Sequence, residues 1–433
     1  MSNKNNASFG TTDYVKITLL GFAITALWQS LHTIILPIRL LDFVPESNKN
    51  TYLGLLTLTG LLLAMFVQPL AGAFSDMSRF RWGRRRPFIL LGGLLMLLFI
   101  PGLGLAGGYA TIFAVYCLLQ VSSNIAQGPY QAFIPEMVPA DRHGRASGIK
   151  GLLEIMGGIV LVYVSSIFMD RYYNNSQSYL LWLDLGILMV VLFVAVAATV
   201  LVVKESATSF PPSHSSLPVF FQTFKKDIWK NSNFIWFLLS RLLVFMAFTT
   251  IQQFALYYFK DVLSLAQPAD ATFRFSVIAV AGMLIVVWPA GYLSDRIGRK
   301  WLTAASGLLG AAGIGIIALS QQYNTVLWSA VLIGVAMGIF NSSNWALATD
   351  FAPAGEEARY LGIANMATAG GAVLARLIGP GIDFFNRRTP LSGYTFMLVA
   401  CLIYFIIGAL LAIKIRSVRY FNQGTTSNIT DPR

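Results

Sequence analysis

Glu154, Arg241 and Arg376 each stand inside a long apolar stretch, and His32 stands inside another. An ionisable side chain in hydrocarbon costs at least about 2.5–3.5 kcal/mol, so its default reading is a functional site. Glu154 is the candidate for carrying a proton. Apolar surroundings favour the neutral carboxyl, which brings proton uptake and release within reach of ordinary pH. His32 is the second titratable candidate, since imidazole changes charge near neutrality. A different reading of Glu154 is a permanent ion pair with Arg241 or Arg376, because buried charges are normally paired. The two arginines could instead bind an anionic solute together. Arg376 follows Ala369-Gly370-Gly371-Ala372, small residues that allow close helix approach or a bend. Arg39, Asp184 and Asp383 lie nearer the ends of their stretches, where they could snorkel or cap.

Uncharged polar residues form a second set. Asn124, Gln127 and Gln131 recur at helical spacing, as do Asn341, Asn344 and Trp345. Gln29, Gln68, Gln252 and Gln253 lie in other apolar stretches. Facing one cavity, they would offer many neutral hydrogen bonds, with Trp or Tyr to stack on a sugar face. The competing reading is hydrogen bonding between helices, which averages only ~0.6 kcal/mol per pair. For a set converging from two halves of the chain, a binding role is favoured. Other chemistries lack their residues. His32, His143 and His214 are scattered, so no metal site is expected. Neither a P-loop nor a Gly-x-Ser-x-Gly elbow occurs, so the expectation is no ATP-driven step, no enzyme and no cofactor.

The elements that carry these residues follow from composition. Of 433 residues, 56% are hydrophobic and only 12% charged. A soluble surface needs ~25–35% charged residues, so most of this chain faces lipid. Apolar runs lie at 16–41, 52–75, 87–107, 109–135, 146–169 and 179–203, then at 233–259, 272–293, 301–320, 325–349, 360–383 and 393–415. Their length and lack of alternation predict helices. The fold expected is all-α integral membrane, with twelve transmembrane helices as two parallel six-helix repeats around a central cavity. The halves are 1–203 and 232–433, joined by a cytoplasmic linker at 204–231. In that linker Phe220, Phe224 and Ile228 are spaced four apart beside Lys225, Lys226 and Lys230, which fits a helix on the membrane surface as well as a plain connector. Lys and Arg concentrate in the loops after even-numbered spans and in the tails, which puts both termini in the cytoplasm. The net charge of +12 is explained by this topology rather than by nucleic acid. Cys117 and Cys401 fall inside apolar runs and make no disulfide framework. The polar N-terminus has no basic segment ahead of a cleavage site, so no cleaved signal is expected.

An internal repeat underlies the two halves. Gly72-Ala-Phe-Ser-Asp76 returns as Gly291-Tyr-Leu-Ser-Asp295, and Gly83-Arg84-Arg85 returns as Gly298-Arg299-Lys300. Glu136, Pro139, Arg145 and Gly148-Ile149 match Asp350, Pro353, Arg359 and Gly362-Ile363 at a constant spacing of 214. The matches include charged loop residues, which chance similarity of apolar helices does not produce. Two six-span repeats around a pathway describe an alternating-access carrier.

These segments resemble the signature loop of the major facilitator superfamily. The longer first copy, ending Gly83-Arg84-Arg85-Arg86-Pro87, is similar to that of the sucrose/proton symporters and the glycoside–pentoside–hexuronide symporters. So is Gly128-Pro-Tyr-Gln131-Ala-Phe-Ile-Pro-Glu136, although that group commonly carries Arg at the position of Gln131. The resemblance implies a cytoplasmic latch built from Asp76, Gly83, Arg84, Arg85, Asp295, Gly298, Arg299 and Lys300, joined by Glu136, Arg145, Asp350 and Arg359. It places spans 1, 4, 7 and 10 around the cavity, with 2, 5, 8 and 11 beside them. It also implies proton-coupled symport of a small polar solute such as a sugar or glycoside, by a monomer in a prokaryotic cytoplasmic membrane, without nucleic-acid partners. The alternative is an antiport exporter of amphipathic, lipid-like or anionic molecules, since one fold serves both.

Overall fold

A computed structural model describes residues 11–80, 82–175, 177–203, 205, 231–353 and 356–415. Almost all of the expected linker lies outside the described residues, including Phe220, Phe224 and Ile228. In hydrocarbon every backbone N–H and C=O must be satisfied internally, and long apolar runs therefore become helices. Twelve are long and apolar enough to cross a membrane. The first half holds α1 (Asp13–Leu40), α2 (Glu46–Met77), α3 (Arg86–Leu105), α4 (Tyr109–Met137), α5 (His143–Asn175) and α6 (Ser178–Val202). The second holds α7 (Ser232–Asp261), α8 (Pro268–Ile297), α9 (Arg299–Leu319), α10 (Tyr323–Phe351), α11 (Arg359–Arg388) and α12 (Ser392–Lys414). Several run longer than the sequence spans because polar residues continue the helix past the apolar core.

Equivalent pairs pack alike in the two halves: α1 on α5 and α7 on α11, α2 on α4 and α8 on α10. Glycine permits the first of these approaches. A Cβ on Gly157 of α5 would stand 2.4 Å from the carbonyl oxygen of Phe22, and one on Gly371 of α11 would stand 2.5 Å from that of Leu242. The two glycines are 214 positions apart, the spacing seen in the loops. Two of the irregular helices bear on the site. α1 contains a π-helical turn, Leu31–Ile35, and α11 breaks into a turn at Leu377 and Ile378.

The halves meet at one end, the end away from the described termini. There α2 packs on α11, α5 on α8 and α1 on α7. Lys49 pairs with Asp261 at 2.7 Å and Lys260 with Glu46 at 2.8 Å. The Tyr257 hydroxyl donates to the carbonyl of Pro37 at 2.8 Å, and the Asn174 amide to that of Ala266 at 2.9 Å. At the terminus-bearing end the ion pairs of Arg84, Arg85 and Arg299 each lie within one half.

Candidate solute cavity and gates

A cavity of about 520 Å³ lies between α1 and α5 of the first half and α7, α8 and α10 of the second. That volume suits a small-molecule ligand. Its polar wall begins with Thr25, Gln29 and Thr33, which share one face of α1 through their i, i+4 spacing. Glu154, Gln252 and Ser276 add groups from α5, α7 and α8. The rest is apolar, mainly Phe, Met and Ile side chains.

Glu154 faces this cavity about a third of the way along α5 from its terminus-bearing end. Its partner is Lys150, one turn back on the same helix, at 3.7 Å. Neither Arg241 nor Arg376 pairs with it, so the permanent pair weighed from sequence is not formed in this conformation. Gly21 of α1 leaves the room. A Cβ there would stand 2.8 Å from Glu154 Oε1 and 2.6 Å from the Tyr130 hydroxyl. The Lys150 ammonium lies 5.2 Å from the Tyr130 ring centre.

His32 sits on the π turn of α1 and heads a polar network shared with α4. The His32 Nε2 and the Gln120 amide both meet the Tyr116 hydroxyl at 2.9 Å. Asn124 donates to the Gln120 carbonyl at 2.7 Å, and Trp28 Nε1 and the Gln127 amide both donate to Ser123 Oγ at 2.8 Å. Trp28, Tyr116, Gln120 and Ser123 were missed from sequence. The signal was present as a stripe on α4 at 116, 120, 123, 124 and 127, but its Tyr and Ser members read as ordinary helix residues. Gln131 is exposed, beyond the end of this network.

Arg376 of α11 lies within electrostatic reach of His32 and Tyr116, across the boundary between halves. It is buried, and among the described residues it hydrogen bonds only to the carbonyl of Ala372 on its own helix and its Nε has no partner. Arg241 is different. It braces α7 against α10 and α11 through Asn344 Oδ1, the Ala364 carbonyl at 3.1 Å and Thr368 Oγ1 at 2.8 Å. Its guanidinium also lies 5.3 Å from the Phe245 ring centre and 5.6 Å from that of Trp345. Asn341 touches Met283 Sδ at 3.8 Å, and Gln253 is buried with its amide nitrogen unpartnered among the described residues.

The repeated loops form two clusters at the terminus-bearing end, each within one half. In the first, Arg85 pairs with Asp76 and Glu136, and Arg84 reaches Glu136 at 2.6 Å. Burial disfavours the Arg85 cation, but the Glu136 and Asp76 carboxylates outweigh it and raise the arginine pKa above its ordinary value. Glu205, which sequence reasoning missed, accepts the backbone N–H groups of Arg84, Arg85 and Arg86 at 2.7, 3.0 and 2.7 Å, and so caps α3. Gly83 has φ of 120°, and a Cβ on it would stand 2.7 Å from the Glu205 carboxyl carbon. In the second cluster Arg299 joins Asp350 and, at 3.2 Å, Asp295, beside Gly298 at φ 103°. Lys300 lies over the Trp301 ring, and Arg359 pairs with Glu356 at 2.9 Å. Arg145 is exposed and joins no ion pair among the described residues.

A family model described as Major Facilitator Superfamily matches residues 12–376 and 275–428. Among curated proteins, the minor myo-inositol transporter IolF of Bacillus subtilis is 30% identical over 103 residues, 24% of this chain and 23% of that one. The sucrose transport protein SUC3 of Arabidopsis thaliana is 26% identical over 134 residues, 26% of this chain and 23% of that one. Human solute carrier family 45 member 3 is 29% identical over 209 residues, 44% of this chain and 36% of that one. The matches thus span well under half the length of these relatives. Solved structures extend the fold over nearly the whole chain. The nucleoside transporter NupG superposes with a TM-score of 0.72 at 16% identity, covering 93% of this chain and 98% of that one. A D-xylose-proton symporter gives 0.71 at 16% identity, covering 93% and 97%.

Proposed function

The chain belongs to the Major Facilitator Superfamily, a family of transporters, and from that premise we propose that it carries a small polar solute, a sugar or glycoside, together with protons by alternating access. As a multi-pass membrane protein it would hold both termini in the cytoplasm, so that the open end faces inward and the closed end outward. The observation that carries this reading is the cavity itself. Both halves contribute its walls, Thr25, Gln29, Thr33, Glu154, Gln252 and Ser276 supply its hydrogen-bonding groups, and the ion pairs described between the halves gather at one end. Sugar names among the partial relatives and the xylose-proton symporter among the structural neighbours support the solute class.

Glu154 is the proton carrier in this scheme. It lines the cavity, and Lys150 at 3.7 Å is a partner loose enough to exchange for water or solute. Uptake of a labelled sugar panel into proteoliposomes, with and without a pH gradient, tests the function. Glu154→Gln is expected to abolish gradient-driven accumulation while sparing solute exchange, because exchange needs no proton release. Full accumulation by Glu154→Gln would move the assignment to His32.

One observation favours a second reading, an anionic solute. A buried guanidinium with an unpartnered Nε and no carboxylate within ion-pair distance among the described residues is an expensive arrangement unless a ligand completes it. On that reading, uptake in the same panel is strongest for acidic sugars, and Arg376→Gln removes the preference for them. Under the neutral-sugar reading Arg376→Gln leaves the ranking of solutes unchanged.

A further inference from the structure

Two buried carboxylates cross between the halves at the closed end, and they are counterparts in the internal repeat. Asp170 lies near the outer end of α5 and Asp383 near the outer end of α11. The helices they touch also correspond. Ala269 lies 219 positions beyond Asn50, the spacing that relates Gly291 to Gly72. Asp170 and Asp383 are 213 apart, one short of the spacing at the inner ends of the same two helices.

Each carboxylate sits on the first turn of a helix in the other half. Asp170 accepts the backbone N–H of Ala269 at 2.9 Å and of Asp270 at 2.8 Å, in the first turn of α8. Asp383 accepts the backbone N–H and the hydroxyl of Thr51, both at 2.6 Å, and the side-chain amide of Asn50 at 2.8 Å, in the first α-helical turn of α2, which starts at Lys49 after a 3-10 turn, Glu46–Asn48. Neither helix caps itself. The residues at the cap positions, Gln267 and Asn48, make no side-chain capping bond. The first N–H groups of a helix need acceptors and carry its positive end, which an aspartate satisfies on both counts.

We propose that Asp170 and Asp383 are a twofold pair of capping latches, each half supplying the missing cap of a helix in the other, and that they set how often the outer end opens. The device rests on the alternating-access reading above. When the halves part at that end, water replaces each carboxylate on the freed N–H groups and hydrates the carboxylate. The pair therefore favours closure without making it permanent. The two latches differ in strength. Asp383 receives three donors, two of them from side chains. Asp170 receives two, and the acid side chain of Asp270 belongs to one of the residues it caps. Opening is thus expected to begin at the α5–α8 seam.

The test is a distance distribution between spin labels at Gly107→Cys in the first half and Thr389→Cys in the second, both exposed at the outer end, with Cys117 and Cys401 replaced by Ser. It is made on the full chain in lipid nanodiscs. Asp170→Asn and Asp383→Asn are each expected to raise the ratio of open to closed outer ends by about tenfold, the lower end for a charge-assisted capping bond, with the larger shift for Asp383→Asn. Asp184→Asn is the control. That carboxylate is equally buried but binds Ser165 within its own half, at 2.8 Å, and should leave the ratio unchanged. Should Asp383→Asn fail to fold, Thr51→Val removes one donor and is expected to give a smaller shift in the same direction. A second, open population in the parent that none of these changes alters would overturn the latches alone. A single fixed distance in the parent and every variant, at all solute and proton gradients, would instead sink the alternating-access reading.

Discussion

Gly83 shows how much a single position can be asked to do. Its φ of 120° is a region that L side chains rarely adopt, and the space its Cβ would need is filled by the Glu205 carboxylate. Gly83→Ala should therefore strain the turn and displace the cap of α3 together. A loss of about 1–3 kcal/mol is expected, read as a lower unfolding temperature in detergent with the solute panel unchanged. Asp76→Asn tests a different quantity. It keeps the size of the side chain and removes one of two charges facing Arg85. Cycling should slow several-fold without loss of folded protein, because Glu136 still holds the arginine. Unchanged turnover would leave the loop a topological role alone. The residues of this cluster were legible in the sequence because charges repeated in two loops stand out against apolar helices. Glu205 was not legible, since it lies more than 100 positions away in a polar segment with no repeat partner and no pattern.

At the scale of elements, the twelve helices were readable from run length, whereas their departures from regularity were not. Nothing in Leu31-His32-Thr33-Ile34-Ile35 distinguishes a π turn from an α turn, although the turn carries the His32 that meets Tyr116 on α4. The small residues before Arg376 did signal a close approach, and α11 does lie against α7 at Gly371. A methyl group at that position cannot fit beside the Leu242 carbonyl. Gly371→Ala should push α11 from α7, strain the Arg241 brace, and destabilise the second half by about 1–3 kcal/mol. Thermal unfolding followed separately in the two halves would place the loss. A variant as stable as the parent would mean the two helices can slide apart freely, which the three bonds from Arg241 to α10 and α11 argue against.

For the whole molecule, the repeat and the charge bias of its loops were enough to propose the architecture and its direction across the membrane. Cysteine labelling decides the direction. Ser176→Cys should react with an impermeant reagent from outside sealed cells, and Ser209→Cys only after permeabilisation. Reaction at 209 in sealed cells would invert the topology. Which end is closed could not be read from sequence, because under the alternating-access reading one sequence would support both closures.

The closure at the end away from the termini is made of ions as well as packed side chains, and this has a consequence for how coupling is measured. Glu46 meets Lys49 and Lys260 with 63% of its side chain exposed. Dissolved salt screens such pairs over a Debye length of about 8 Å at physiological ionic strength. Raising the concentration of any electrolyte should therefore loosen this seal and, on the transport reading proposed above, change the rate at which that end opens, whichever cation is added. A stimulation by sodium chloride would then resemble sodium-driven transport while reporting only screening. Matching ionic strength with choline chloride separates the two. Equal stimulation by both salts marks the seal, and stimulation by sodium alone marks a coupling ion.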